Sequence, residues 1–260
     1  MCPRGGQIPD GDNIFTAIKR RAPGALLLAS LTAACVAEPP ASPYKAVLTA
    51  GDTSTHVFDH ATDAMYHRLL AGGTAPGDIQ RFSASPRQVG KNGIRLTSLA
   101  AMRRGIEAAR PSGRQACFVF ATSHGAYQKG LYLEPQDEFL TPAILDDALS
   151  RGCGEAPTVA IISGCYSGSF ARAPMTRPNR VILTASREDR NSFGCGDDFE
   201  YTVFDRCLLD AMERTETWPA AHGLIRSCVT AKEHALGFQA SEPLAFFGGL
   251  TAALTINRPR

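Results

Sequence analysis

The sequence contains no C-x-x-C pair, no run of lysine and arginine interleaved with aromatics, no internal repeat, and no apolar stretch that would span a bilayer comfortably. Without closely spaced cysteines a structural zinc site is not expected. A formal net charge of +2 and the lack of a basic patch give no polyanion partner and no nucleic-acid surface.

What is present suits one sizeable α/β domain: 260 residues, 44% of them hydrophobic and 20% charged. The N-terminus reads as an address. Lys19-Arg20-Arg21 precedes the apolar run Ala22–Ala34, a basic segment followed by a short hydrophobic one, as in an export signal. The competing reading is an ordinary apolar helix. Cys35 follows small residues in the manner of an acylated lipoprotein cysteine, although Thr32 stands where a leucine is usual. Residues 1–37 are therefore assigned to a leader, 38–43 to a proline-rich linker and 44–255 to the folded domain. The expected location is exported, either periplasmic or membrane-anchored, with lipidated Cys35 as the only membrane attachment. Beyond Cys2 and Cys35 there remain Cys117, Cys153, Cys165, Cys195, Cys207 and Cys228, some of which should pair in an oxidising compartment, in a connectivity that spacing does not fix.

Within the domain, hydrophobic periodicity alternates between strands and helices. Lys45–Gly51 reads as a strand, Val57–Leu70 as an amphipathic helix, and Asp78–Phe82 as a short strand. Thr97 is placed to cap a helix carrying Leu99, Met102 and Ile106 that Pro111 stops, and Thr141-Pro142 opens another. Leu131–Leu133 suggests a hairpin arm, Arg180–Ser186 a further strand, and the regions 200–213 and 219–236 helices. Such alternation predicts a mostly parallel central sheet with helices on both faces.

Two buried strands end in chemistry. Val159–Ser163 runs into Gly164-Cys165-Tyr166-Ser167-Gly168, and Cys117–Thr122 runs into Ser123-His124-Gly125. The carboxyl ends of strands are where open α/β sheets place their sites. A thiol becomes a strong nucleophile only as a thiolate, and an imidazole can take its proton or hold the anion. Backbone N–H groups at Gly125 and Cys165 are placed to stabilise an oxyanion, and glycine leaves room for a substrate carbonyl. Buried cysteine alone is more often a small hydrophobe, and a lone histidine is as readily a core or turn residue as a catalytic one. Two such residues at matching strand ends point instead to a catalytic pair.

The combination of Ser123-His124-Gly125 with Gly164-Cys165-Tyr166-Ser167-Gly168-Ser169 resembles the legumain family of cysteine peptidases, within the caspase-like group. Ala50-Gly51 with His60 and Asp63-Ala64, and Leu183–Ser186 with Ser192–Cys195, are similar to further family segments, so the resemblance spans about residues 44–200. It implies a caspase-like three-layer α/β sandwich, Cys165 as nucleophile, His124 as acid-base partner with no third residue required, a thioester acyl-enzyme, a peptide or protein substrate, and no metal or organic cofactor. The specificity pocket departs from the family. Asp59 stands at its arginine position, Ser163 at an acidic position two before the nucleophile, and Asp197 or Asp198 at a second acidic position. A pocket that has lost an arginine and kept carboxylates favours a basic residue over Asn at the cleavage position. The bland reading makes these aspartates a helix cap and a solvated loop. Two other functions compete: a cysteine-nucleophile α/β-hydrolase, disfavoured because serines replace the glycines of a nucleophile elbow, and an inactive binding module.

Overall fold

The computed structural model describes residues 43–252 and 254–256. The leader and Cys35 lie outside the described residues, as does the linker apart from Pro43. No described helix is long and apolar enough to cross a membrane.

In chain order the chain forms β1 (Tyr44–Ala50), α1 (Val57–Ala71), β2 (Ile79–Ser83), β3 (Arg95–Leu96), α2 (Leu99–Glu107), β4 (Ala116–Thr122), β5 (Gly125–Ala126), β6 (Gly130–Leu133) and β7 (Glu138–Leu140). It continues with α3 (Pro142–Gly152), β8 (Thr158–Ser163), β9 (Arg180–Thr184), α4 (Val203–Arg214), α5 (Trp218–Leu236) and β10 (Leu244–Phe247). The main sheet has seven strands in the order β10-β9-β8-β4-β1-β2-β3. All its pairings are parallel except that of β10 with β9.

The central strands are apolar on both faces, and each face needs cover. One face of the sheet, carrying Leu48, Phe118, Phe120, Ile161 and Leu183, packs under Met65 of α1, Phe204 and Leu208 of α4, and Trp218 and Ile225 of α5. The other, carrying Val47, Val119, Ile162 and Ile182, packs under Met102 and Ile106 of α2 and Leu145 and Leu149 of α3. The three layers of the expected α/β sandwich follow directly.

Several local expectations change. Ser98, rather than Thr97, caps α2 by accepting from Ala101 N at 3.0 Å, whereas Thr97 donates its hydroxyl to Ala50 O at 2.8 Å. The hairpin arm is one strand of a separate three-stranded antiparallel sheet, β5-β6-β7, built directly onto the turn after β4. Strand β10 was not foreseen, and its four residues are only partly covered, as suits an edge.

Among the described residues two disulfides form, Cys117–Cys153 between β4 and the end of α3, and Cys207–Cys228 between α4 and α5. The first closes a loop across a separation of 36 residues. Replacing both of its cysteines by alanine is expected to cost about 4 kcal/mol, the chain-entropy value for a loop of that length. Urea midpoints of the two proteins measure it, and an unshifted midpoint would contradict it.

Candidate active site

The sheet brings the two chemical strand ends together. β4 and β8 are hydrogen-bonded neighbours whose register pairs Thr122 with Ser163, and Ser123 N donates to Ser163 O at 3.0 Å. His124 and Cys165 each lie two residues beyond that pair, so they leave the sheet at the same level, from adjacent strands. The chain order reverses beside them. β2 follows β1 on one side and β4 lies on the other, the switch point at which open sheets form a crevice.

The two turns are pressed against each other. A Cβ at Gly125 would lie 1.9 Å from Cys165 O and 3.1 Å from Cys165 N, and one at Gly164 would lie 2.5 Å from Leu131 Cδ1 and 2.8 Å from Ser123 O. Glycine is required at both places for that approach. The sharp change of direction after the cysteine is made by Tyr166, in the left-handed region at φ 58° and ψ 15°, instead of by one of the glycines. Tyr166 N donates to Arg190 O at 2.8 Å, which holds this disfavoured residue in place.

Cys165 is a free, half-buried thiol. Its Sγ donates to Ser192 O at 3.4 Å and accepts from Ser192 N at 3.3 Å. The loop containing Ser192–Cys195 thus lies against it. Burial pushes the free thiol of Cys195 upward in pKa, and the adjoining Cys165 adds to the shift.

Two residues that sequence reasoning missed hold the imidazole. Ser54 Oγ is 3.0 Å from His124 Nε2, and Asp52 Oδ1 is 4.0 Å from the same nitrogen. The Ser54 hydroxyl donates to Asp52 Oδ1, which also accepts from Ser54 N at 2.7 Å. Because that hydroxyl spends its only proton on the carboxylate, it can only accept from the ring, so Nε2 carries hydrogen and Nδ1 is the basic nitrogen. Phe58 of α1 packs edge-on to the ring at 5.2 Å between centroids. The signal was present as Gly51-Asp52-Thr53-Ser54, polar residues just past a buried strand beside β4.

The remaining expected site residues are dispersed. Asp59 accepts from Ser83 Oγ at 2.6 Å and lines a separate polar cavity of about 170 Å³ with His60, Arg81 and Lys91. Burial raises its pKa, opposed by the Ser83 hydroxyl and then by those three cations. Asp197 and Asp198 are exposed, in the loop that follows Cys195. Asp198 borders an apolar groove of about 400 Å³ beside Phe199, Tyr201 and Leu236. Ser163 is buried at the end of β8, on the face that meets α4, where it adjoins the carboxyl of Asp205.

Asp205 was not singled out from the sequence. It is wholly buried, and its Oδ2 accepts from Thr122 Oγ1 at 2.8 Å. Burial pushes its pKa up to about 6, against the pull of the Ser163, Thr122 and Thr202 hydroxyls. Folding therefore favours the protonated form between pH ~4, the unfolded value, and about 6, and stability falls as pH rises through that window, by about 3 kcal/mol in all.

The sequence profile of the peptidase C13 family matches residues 109–245, more than half of the chain and including both strand ends. The chain belongs to this family. It is a cysteine-type endopeptidase of the legumain type, and its substrates are peptides or proteins. The fold agrees: caspase-1 from Spodoptera frugiperda superposes with a TM-score of 0.55 at 13% identity, over 79% of this chain and 86% of that one. No curated protein sequence matches the chain. Membership in a peptidase family leaves the cysteine-esterase alternative without support.

Proposed function

We propose that this C13 peptidase cleaves peptide bonds with Cys165 as nucleophile and His124 as its proton acceptor and donor. The supporting observation is the packing of Gly125 against the backbone of Cys165 at two strand ends in register. The thiol proton passes to His124 Nδ1, Sγ bonds to the substrate carbonyl carbon, and the oxyanion is met by the N–H groups of Gly125 and Cys165. Collapse breaks the C–N bond, His124 returns the proton to the leaving amine, and water activated by the same imidazole hydrolyses the thioester to the acid and the free thiol. Asp52, through Ser54, keeps the ring in the tautomer and orientation this requires, the part of a third residue that the resemblance did not call for.

The cleavage position takes a basic side chain in this reading. Its support is the negative charge near the dyad: Asp52 is buried beside His124, and the exposed Asp197 and Asp198 lie in the loop that follows Cys195. By the resemblance, Asp59 stands where the family keeps an arginine. Export is likewise part of the proposal, and the two disulfides support it, since such bonds persist in oxidising compartments.

Labelling with an acyloxymethyl ketone probe followed by peptide mapping tests the nucleophile, and the adduct is expected on Cys165 alone. A fluorogenic panel varied at the cleavage residue tests the pocket. Arg and Lys substrates are expected to exceed Asn by about tenfold or more in kcat/KM, the size of a single charge-assisted contact. Preference for Asn would overturn the charge argument while leaving the nucleophile untouched.

A further inference from the structure

Asp205 lies directly beneath the paired strand ends. It comes from the first turn of α4, where its own N–H donates to Thr202 Oγ1 at 3.0 Å. Its carboxyl meets the Thr122 hydroxyl at the end of β4 and adjoins the Ser163 hydroxyl at the end of β8. Those two residues form the last cross-strand pair before His124 and Cys165. Asp205 Oδ1 and Ser163 Oγ, which lie near each other, have no hydrogen-bond partner among the described residues. A wholly buried carboxyl with one oxygen unpartnered is poorly explained as a packing residue.

We propose that Asp205 is a positioning residue for the Cys165/His124 pair, and that its ionised carboxylate holds the ends of β4 and β8 at the relative height the reaction needs. The inference rests on the dyad reading given above. Only the carboxylate is an acceptor at both oxygens. A protonated acid, or an amide, presents a donor at one of them, so the hydroxyl facing that atom must turn to accept, and the strand end it belongs to is held in a different position.

The groups that face the carboxyl are uncharged: Thr122 from β4, Ser163 from β8 and Thr202 from the start of α4. Of the charged groups on the packed helices, Arg68 of α1 reaches Met212 O near the far end of α4, and Glu233 of α5 accepts from Ser241 N. The nearest titratable groups along the two strands are His124 and Cys165 themselves. Ionisation of Asp205 is thus governed by burial, and the proton equilibrium it adds to the enzyme falls near pH 6.

Asp205→Asn tests this in the full chain. At pH 7.5 kcat is expected to fall about tenfold to 100-fold with KM within about twofold, the cost of a small misplacement of reacting groups. The wild-type to variant ratio of kcat should shrink towards unity as pH is lowered through about 6, where the wild-type carboxyl also becomes protonated. Over the same range the variant should melt above wild type at pH 7.5, with the gap closing near pH 4. Thr122→Val should lower kcat by a smaller factor and add little on the Asp205→Asn background. It also carries the test if the amide variant fails to fold.

An unchanged kcat, or a kcat ratio constant with pH accompanied by a lower melting temperature, would overturn the proposal in favour of a packing role. Cys165→Ala separates this from failure of the dyad. If that variant is inactive while Asp205→Asn is normal, only the positioning role is lost; if it retains turnover, the dyad reading itself falls.

Discussion

Cys165→Ala is expected to lower kcat/KM by about 10⁴-fold or more while leaving the fold intact. The magnitude follows from removing a covalent nucleophile, after which only transition-state contacts and substrate binding remain. The fold should survive because Cys165 is half-buried in a turn, and the contacts it loses are those to Ser192. Its neighbours are fixed independently. Gly164 O accepts from Ser186 Oγ at 3.2 Å, and Tyr166 N is held by Arg190 O. Measured kcat/KM on a basic fluorogenic substrate together with a thermal melt decides the matter. Turnover within tenfold of wild type would remove Cys165 from the chemistry. His124→Ala should follow the same pattern with a smaller loss, since solvent can replace part of a proton acceptor but not a covalent bond.

Much of the architecture was legible because it is carried by periodicity. The strands β1, β4, β8 and β9 are continuous apolar runs, the signature of parallel strands covered on both faces. Most of the short elements were not: β5 and β7 have too few residues to display a period, β6 showed only as the Leu131–Leu133 arm, and β10 is an edge whose residues are only partly covered. Ser98 and Thr97 have the same capping chemistry, and only the tertiary contact of Thr97 with Ala50 O separates them. Cys165, His124 and Gly125 stood out in the sequence because each follows an apolar strand, and the structure places those strands side by side. Asp52 and Ser54 were missed because their partner is 70 or more residues away, on a strand whose adjacency to β1 is a matter of sheet order. Asp205 was hidden more deeply. On α4 it reads as an ordinary acidic residue in a helix's first turn, favourable there for the helix dipole, and nothing local reveals that this turn lies beneath two strand ends.

Gly125→Ala is expected to reduce kcat by at least about 100-fold, and the reason is space. Gly125 has no positive φ, so alanine can adopt its backbone conformation. Its Cβ, however, would stand 1.9 Å from Cys165 O and 2.9 Å from Cys165 C, which no side-chain rotation relieves because both partners are backbone. The two turns must separate by more than about 1 Å, the scale of displacement that costs two orders of magnitude when it falls between reacting groups. The same movement withdraws the Gly125 N–H from the oxyanion that it and Cys165 N are proposed to share. Stability should change less, by about 1–3 kcal/mol, because the clash sits at the rim of the sheet where the turns can yield. Gly164→Ala is the control. Its Cβ meets the movable end of Leu131 at 2.5 Å, with Ser123 O at 2.8 Å, so part of that clash can relax and a smaller loss is expected. Alkylation of Cys165 by iodoacetamide distinguishes the causes: a thiol that still alkylates in Gly125→Ala while peptide turnover is lost places the defect in oxyanion stabilisation. Loss of both places it in the approach of His124 to the sulfur, and normal turnover would mean that the two turns do not act as one site.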